Sequence, residues 1–234
     1  MRKLRKRLKR LALRRRDVFV LVVGIALALG GVKLVSFFYS LQTPVPYQSA
    51  GITATWIPPT VKHWSSAIVS TAKQYNLDPN LVAIIMTMES GGNPTAVSYD
   101  GAVGLLQVTP PTAQDIAAHY LKKPVTRYDL YNPTTNIEFG VAYLAHLRSL
   151  FGAANQGPDW DSTVELIAAG YNGGPGAAEN LAEGNGLDDI QTASYASDVS
   201  NMWRERHASD SPTFDRWSER GGNTLVASAQ AEQN

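Results

Sequence analysis

Residues 18–32, VFVLVVGIALALGGV, hold no charged side chain, and LVSFFYSL continues the apolar run after Lys33. A water-soluble fold does not leave such a stretch exposed, so it divides the chain before any other signal is weighed. As a helix, residues 18–41 span roughly 36 Å, enough to cross a hydrocarbon layer of about 30 Å. Lys33 sits in the second half, where its stem can snorkel toward the outer headgroups. The preceding tip carries ten Lys and Arg between Arg2 and Arg16 and no acid. That bias places the N-terminus in the cytoplasm and the body of the chain outside. Ala26-Leu27-Ala28 has the small-residue spacing of a signal-peptide cleavage site, so secretion after cleavage is the alternative. The apolar run continues well past that point, which favours an uncleaved single-pass anchor. Arg15-Arg16 is too ordinary in so basic a tip to mark a twin-arginine signal.

The formal net charge of +1 hides a strong asymmetry. Beyond residue 41 the chain has ten basic residues against nineteen acids. An acidic body with one basic tip argues against nucleic-acid binding, which needs positive charge spread over a folded face. With no cysteine, disulfides, thiolate metal sites and a lipidated N-terminal cysteine are excluded. His63, His119, His146 and His207 lack ligand spacing, so neither metal nor cofactor is expected.

The remaining sequence organises itself around turn and capping signals. We read residues 1–17 as a cytoplasmic tip, 18–41 as the membrane helix and 42–59, with four prolines, as an extended linker. Residues 60–207 read as one domain and 208–234 as a polar, disordered tail. Within the domain, Trp64, Ala67, Ile68, Thr71, Ala72 and Tyr75 recur at helix-face spacing. Asp78-Pro79 caps a second helix running to about Ser90, and Gly91-Gly92 stops it. Turn pairs fill residues 91–110, with a short pairing near residues 104–108 as the one place for extended structure. Further helices follow from Pro111, from Asn132-Pro133, from the Ser162 to Glu165 capping box, and over roughly residues 192–207. The fold class is therefore mainly α.

Glu89 is the unusual residue in this pattern. It lies four after Ile85 and eight after Leu81, on the same side as the apolar stripe of its helix. It also occupies the last turn, where the helix end is negative. No Lys or Arg occurs between Lys73 and Lys122 to pair with it in sequence. Desolvation and the dipole both favour the protonated carboxyl, the state a general acid requires. Periodicity leaves a surface glutamate at a frayed helix end equally open.

Residues 89–110, E-S-G-G-N-P-x-A-x-S-x-x-G-A-x-G-L-L-Q-V-x-P, resemble the signature of the family 1 soluble lytic transglycosylase (SLT) domain. Asn132-Pro133 with Asn136-Ile137, leading to the Gly140 to Leu144 element, is similar to the family's next block. Residues 169–176, AGYNGGPG, resemble its A-x-Y-N-x-G-x-G block, and residues 191–195, QTASY, its closing element. Four blocks in the family's order cover residues 60 to about 205. The resemblance implies a lysozyme-like helical domain that cleaves the β-1,4 bond between N-acetylmuramic acid and N-acetylglucosamine in peptidoglycan strands. It implies Glu89 as acid and then base, while the muramyl 6-hydroxyl closes onto C1 to give a 1,6-anhydro end. An internal nucleophile removes the need for a second catalytic carboxylate. Asp100 is then a turn residue, and Asp159, Asp161 and Glu165 mark a helix start.

The same resemblance carries Ser90, Ser98, Gln107, Tyr171, Asn172 and Tyr195 over as substrate-binding residues. Gln107 offers donor and acceptor to an acetamido group. Tyr171 and Asn172 match the pair facing the acid, and Tyr195 lines the cleft. Read without the family, Ser90 is a helix-end serine, Gln107 a strand-edge polar residue, and Tyr171 and Tyr195 are core aromatics. Three positions depart from the pattern: Leu106 for methionine, Gly170 for alanine and Gln191 for glutamate. The competing functions are a goose-type muramidase that hydrolyses the same bond and a peptidoglycan-binding scaffold without turnover.

Overall fold

Asp78 shows how this chain starts its helices. Its carboxylate accepts the Asn80 amide at 2.8 Å, and Pro79 supplies the first helical φ where no N–H is needed. The computed structural model describes residues 50–151 and 160–234. In chain order the helices are α1 (Pro59–Lys62), α2 (Ser65–Gln74), α3 (Pro79–Ser90), α4 (Pro110–Ile116) and α5 (Pro133–Phe151). There follow α6 (Trp160–Gly173), α7 (Pro175–Ala182), α8 (Ile190–Glu205), α9 (Pro212–Trp217) and α10 (Asn223–Gln233). A π-type turn, Ala117–Leu121, extends α4, and a 3-10 turn, Arg127–Tyr131, leads into α5. Extended structure among the described residues is limited to two isolated bridges, Val97 with Val103 and Val103 with Val108. The mainly α expectation stands.

Helix α3 lies at the centre. Of its 12 residues only Met88 and Glu89 keep partial exposure. The single apolar stripe expected for it is therefore a helix buried nearly all round. Its polar members are satisfied: Asn80 Oδ1 accepts from the amides of Thr53 and Ala54 at 2.8 and 3.1 Å, and Thr87 Oγ1 donates to Ala83 O at 2.8 Å. Around it α8 and α7 pack on α6, and α5 bridges α2 and α6. Phe139, Leu144 and Leu147 of α5 join Ile84 and Ile85 of α3 in the core.

Two boundary expectations change. The linker expected over residues 42–59 is part of the domain from residue 52 onward. Ala54 and Ile57 are buried, and the indole of Trp56 donates to Glu205 O at 3.2 Å. Apolar side chains between the prolines give this segment something to dock, which its proline content obscures. The disordered tail expected over residues 208–234 instead forms α9, a π-type turn (Ser218–Gly222) and α10. A few well-placed groups order it: Ser211 caps α9 by accepting the Phe214 amide at 3.0 Å, and Trp217 and Ala229 are buried. The membrane helix expected over residues 18–41 lies outside the described residues. Among those described, no helix is long and apolar enough to cross a membrane.

Candidate active site

Gly91 fixes where α3 ends. It takes the left-handed conformation at φ 62°, and its amide closes on Thr87 O at 3.1 Å. A Cβ there would sit 2.7 Å from the backbone of Leu225 and Val226, so the turn is also a close approach between chain segments. Glu89 stands two residues before this stop, half-buried, with its Oε1 accepting the Tyr195 hydroxyl of α8 at 2.5 Å. Burial raises the Glu89 carboxyl to about 7, against the smaller lowering effect of the Tyr195 bond. No cation is among the groups that set this value. The carboxyl thus exchanges its proton in the neutral range, where it can both give and take one.

Tyr171, near the end of α6, donates to Leu106 O at 2.7 Å. Burial holds its hydroxyl protonated, and the nearby Glu89 charge adds to that effect. Tyr195 behaves alike, by burial first and then the Glu89 charge. Both phenols therefore remain protonated donors across the neutral range. Tyr143 of α5 packs beside Tyr171: its ring lies 5.4 Å from that of Tyr171, and its hydroxyl donates to Gly170 O at 3.1 Å.

The loop between α3 and α4 adjoins these groups through the Leu106 carbonyl. Asn136 of α5, fully buried, holds it by two bonds and ties it to the 3-10 turn by a third. Its Nδ2 donates to Val103 O at 2.7 Å and Leu130 O at 3.0 Å, and its Oδ1 accepts the Leu106 amide at 2.8 Å. Gln107 adopts φ 44°, a left-handed conformation uncommon for a side-chain-bearing residue. Its Nε2 donates to Ala96 O at 3.1 Å and Gly104 O at 2.9 Å, so Oε1 is what it has left for a ligand.

Over residues 66–193 the sequence matches the family model for the transglycosylase SLT domain. The chain belongs to this family. Relatives of the SLT domain include membrane-bound lytic murein transglycosylase C of Actinobacillus pleuropneumoniae, 36% identical over 62% of this chain and 40% of that protein. The enzyme of that name in Haemophilus influenzae is 34% identical over 69% of this chain and 44% of its own. Membrane-bound lytic murein transglycosylase E of Buchnera aphidicola is 32% identical over 57% and 61%. The chain thus spans about two fifths of the length of the C-type relatives it matches. A solved structure of an inactive mutant of lytic transglycosylase Slt from Pseudomonas aeruginosa aligns with a TM-score of 0.49. It is 23% identical over 63% of this chain and 25% of that one.

The structure brings Glu89 and Tyr171, both inside the matched span, together with Tyr195, two residues beyond it, and it ties Asn172 to α8 through Thr192 Oγ1, 2.9 Å from Asn172 Oδ1. Ser90 is placed differently from a ligand-facing residue. It is buried, donates to Leu105 O at 2.7 Å and accepts the Gly92 amide at 3.1 Å, which braces the loop against α3. Ser98 is exposed and accepts the Ala102 amide at 3.0 Å across a turn. Gln191 lies exposed in the first turn of α8. Gly170 has a packing reason, since a Cβ there would meet Leu147 at 2.8 Å. Asn136 and Tyr143 were readable only as motif letters; their roles depend on contacts across the fold. Among the described residues no group of three His, Cys, Asp or Glu is placed to hold a metal ion.

Proposed function

We propose that this chain is a peptidoglycan lytic transglycosylase. It cleaves the β-1,4 bond between N-acetylmuramic acid and N-acetylglucosamine and leaves 1,6-anhydromuramyl ends. The observation that carries this reading is Glu89, half-buried, poised near 7 and held by the Tyr195 hydroxyl. A carboxyl in that state protonates the glycosidic oxygen as the C1–O bond breaks. As carboxylate it then takes the proton of the muramyl 6-hydroxyl while that oxygen bonds to C1. The proton balance closes on one residue, and no water is consumed. Tyr195 holds the carboxyl in one orientation between the two steps. Tyr171 fixes the Leu106 carbonyl that borders the site, and Gln107 Oε1 and Asn172 are suited to the N–H and hydroxyl donors of the sugars.

The names of the relatives support the substrate class, and their membrane-bound designation supports placement at the envelope. The uncharged apolar run beginning at residue 18 is what supports residues 18–41 as the anchor. The test is mass analysis of glycan fragments released from purified peptidoglycan. We expect anhydro ends from the wild type and none from Glu89→Gln, with the variant folded by circular dichroism. Reducing ends from the wild type would establish the hydrolase instead. Undiminished release by Glu89→Gln would refute the mechanism.

A further inference from the structure

The family match ends at residue 193, yet the chain beyond it is built onto both halves of the catalytic pair. Glu89 sits on α3 and Tyr195 on α8. The segment comprising α9 and α10 attaches to α8 first. Glu205 Oε1 accepts Thr213 Oγ1 at 2.8 Å, and its Oε2 accepts the Thr213 amide at 3.2 Å and the Ser211 hydroxyl. Further along, Arg220 pairs with Asp198, one turn from Tyr195 on the same helix. The segment then crosses to the end of α3. Leu225 and Val226 cover Gly91 so closely that no side chain fits between them. Ser228 Oγ accepts from Asn93 Nδ2 at 3.0 Å. Gln233 Nε2 donates to Gly92 O at 3.1 Å and to Thr60 O at 3.0 Å. The three residues gripped, Gly91 to Asn93, begin two positions after the carboxylate.

We propose that residues 208–234 form a positioning clamp for the catalytic carboxyl, fixing α3 relative to α8 so that Tyr195 meets Glu89. This rests on the reading of Glu89 as the acid-base residue. The clamp residues do not touch substrate. They act through the separation of two helix-borne groups, where displacement of about 1 Å can cost up to about a hundredfold in rate.

The test uses the full-length chain with Ser228→Ala and Gln233→Ala combined, in native and Tyr195→Phe backgrounds, and a second form lacking residues 223–234. The expected result is a fall in kcat of about tenfold with KM nearly unchanged in the native background. In the Tyr195→Phe background the same changes should cost under about twofold, because the bond they serve is already gone. Equal losses in both backgrounds, or no loss in either, would overturn the proposal. A second readout does not depend on turnover: the carboxyl carbon shift of 13C-labelled Glu89 followed against pH. Its midpoint should move upward in the clamp variants as the Tyr195 bond loosens, and an unmoved midpoint counts against the clamp. A wild-type chain that releases no glycan defeats the proposed activity, while this titration still decides the clamp.

Discussion

The hydroxyl of Tyr195 donates to Glu89 Oε1 across 2.5 Å, joining residues 106 positions apart in sequence. Burial pushes the carboxyl up, and this bond pulls it partly back by favouring the ionised form. Tyr195→Phe removes the opposing effect and keeps the ring. The Glu89 pKa should then rise above about 7, with a charge-assisted hydrogen bond corresponding to roughly one pH unit or slightly more. In a kcat–pH profile, the limb set by Glu89 should shift upward by that amount and the maximum should fall. A profile that keeps its midpoint would show that Tyr195 does not tune the acid.

The same shift predicts how stability depends on pH. The Glu89 carboxyl is raised from 4.5 to about 7 in the folded chain. Between those values the folded state binds more protons than the unfolded one, so stability falls as pH rises. The contribution is complete below about 4.5 and lost by the time pH passes about 7. Glu89→Gln cannot ionise, so its melting temperature should match the wild type near pH 4 and exceed it at pH 8. The difference is at most about 3 kcal/mol, and less to the extent that water reaches the half-buried carboxyl. Thermal melts of both forms at the two pH values measure it.

Glu89 also shows where sequence reading stops. Its helix, the cap at Asp78, the stop at Gly91 and the loop that follows were legible because each depends on neighbours within four residues. Period put it on the apolar side but left burial and a frayed surface position equally open, because the partner that fixes it arrives from α8. Ser90 was legible as part of a motif and not as a brace, since its acceptor is the Leu105 carbonyl fifteen residues on. The helices after residue 207 were missed for a related reason. Composition counts polar residues, whereas α9 is held by specific bonds from Glu205 and by a few buried groups such as Trp217. The capping box at Ser162 also overstated its precision, because α6 begins at Trp160 and runs through that position.

Asn136 is the residue whose loss the loop should tolerate least. It is fully buried and satisfies the Leu106 amide and the carbonyls of Val103 and Leu130. Asn136→Ala leaves those backbone groups without their partner, and each unsatisfied buried group costs about 1–3 kcal/mol. We expect a destabilisation of about 3 kcal/mol or more in urea denaturation. Asn136→Asp, which keeps the acceptor but loses the donors, should fare little better. A change under about 1 kcal/mol would mean that the loop is held by other contacts.

Gly140 and Leu106 approach each other closely beneath the Tyr171 acceptor. A Cβ on Gly140 would lie 2.5 Å from Leu106 Cδ1 and 2.7 Å from its Cβ. Those Leu106 atoms cannot retreat easily, because the residue is fully buried, with its amide held by Asn136 and its carbonyl by Tyr171. Gly140→Ala should therefore destabilise the domain by about 1–3 kcal/mol as an overpacking change. Because the displaced backbone carries the Tyr171 acceptor, glycan cleavage should slow as well. Leu106→Met, the residue usual in the family, changes shape with little change in volume and should cost under about 1.5 kcal/mol. Shortening Leu106 in the Gly140→Ala background supplies the decisive comparison. If the clash is the cause, Leu106→Ala should cost less there than in the wild type, a coupling that urea denaturation of the four forms measures. Strict additivity would assign the Gly140→Ala penalty to something other than this contact.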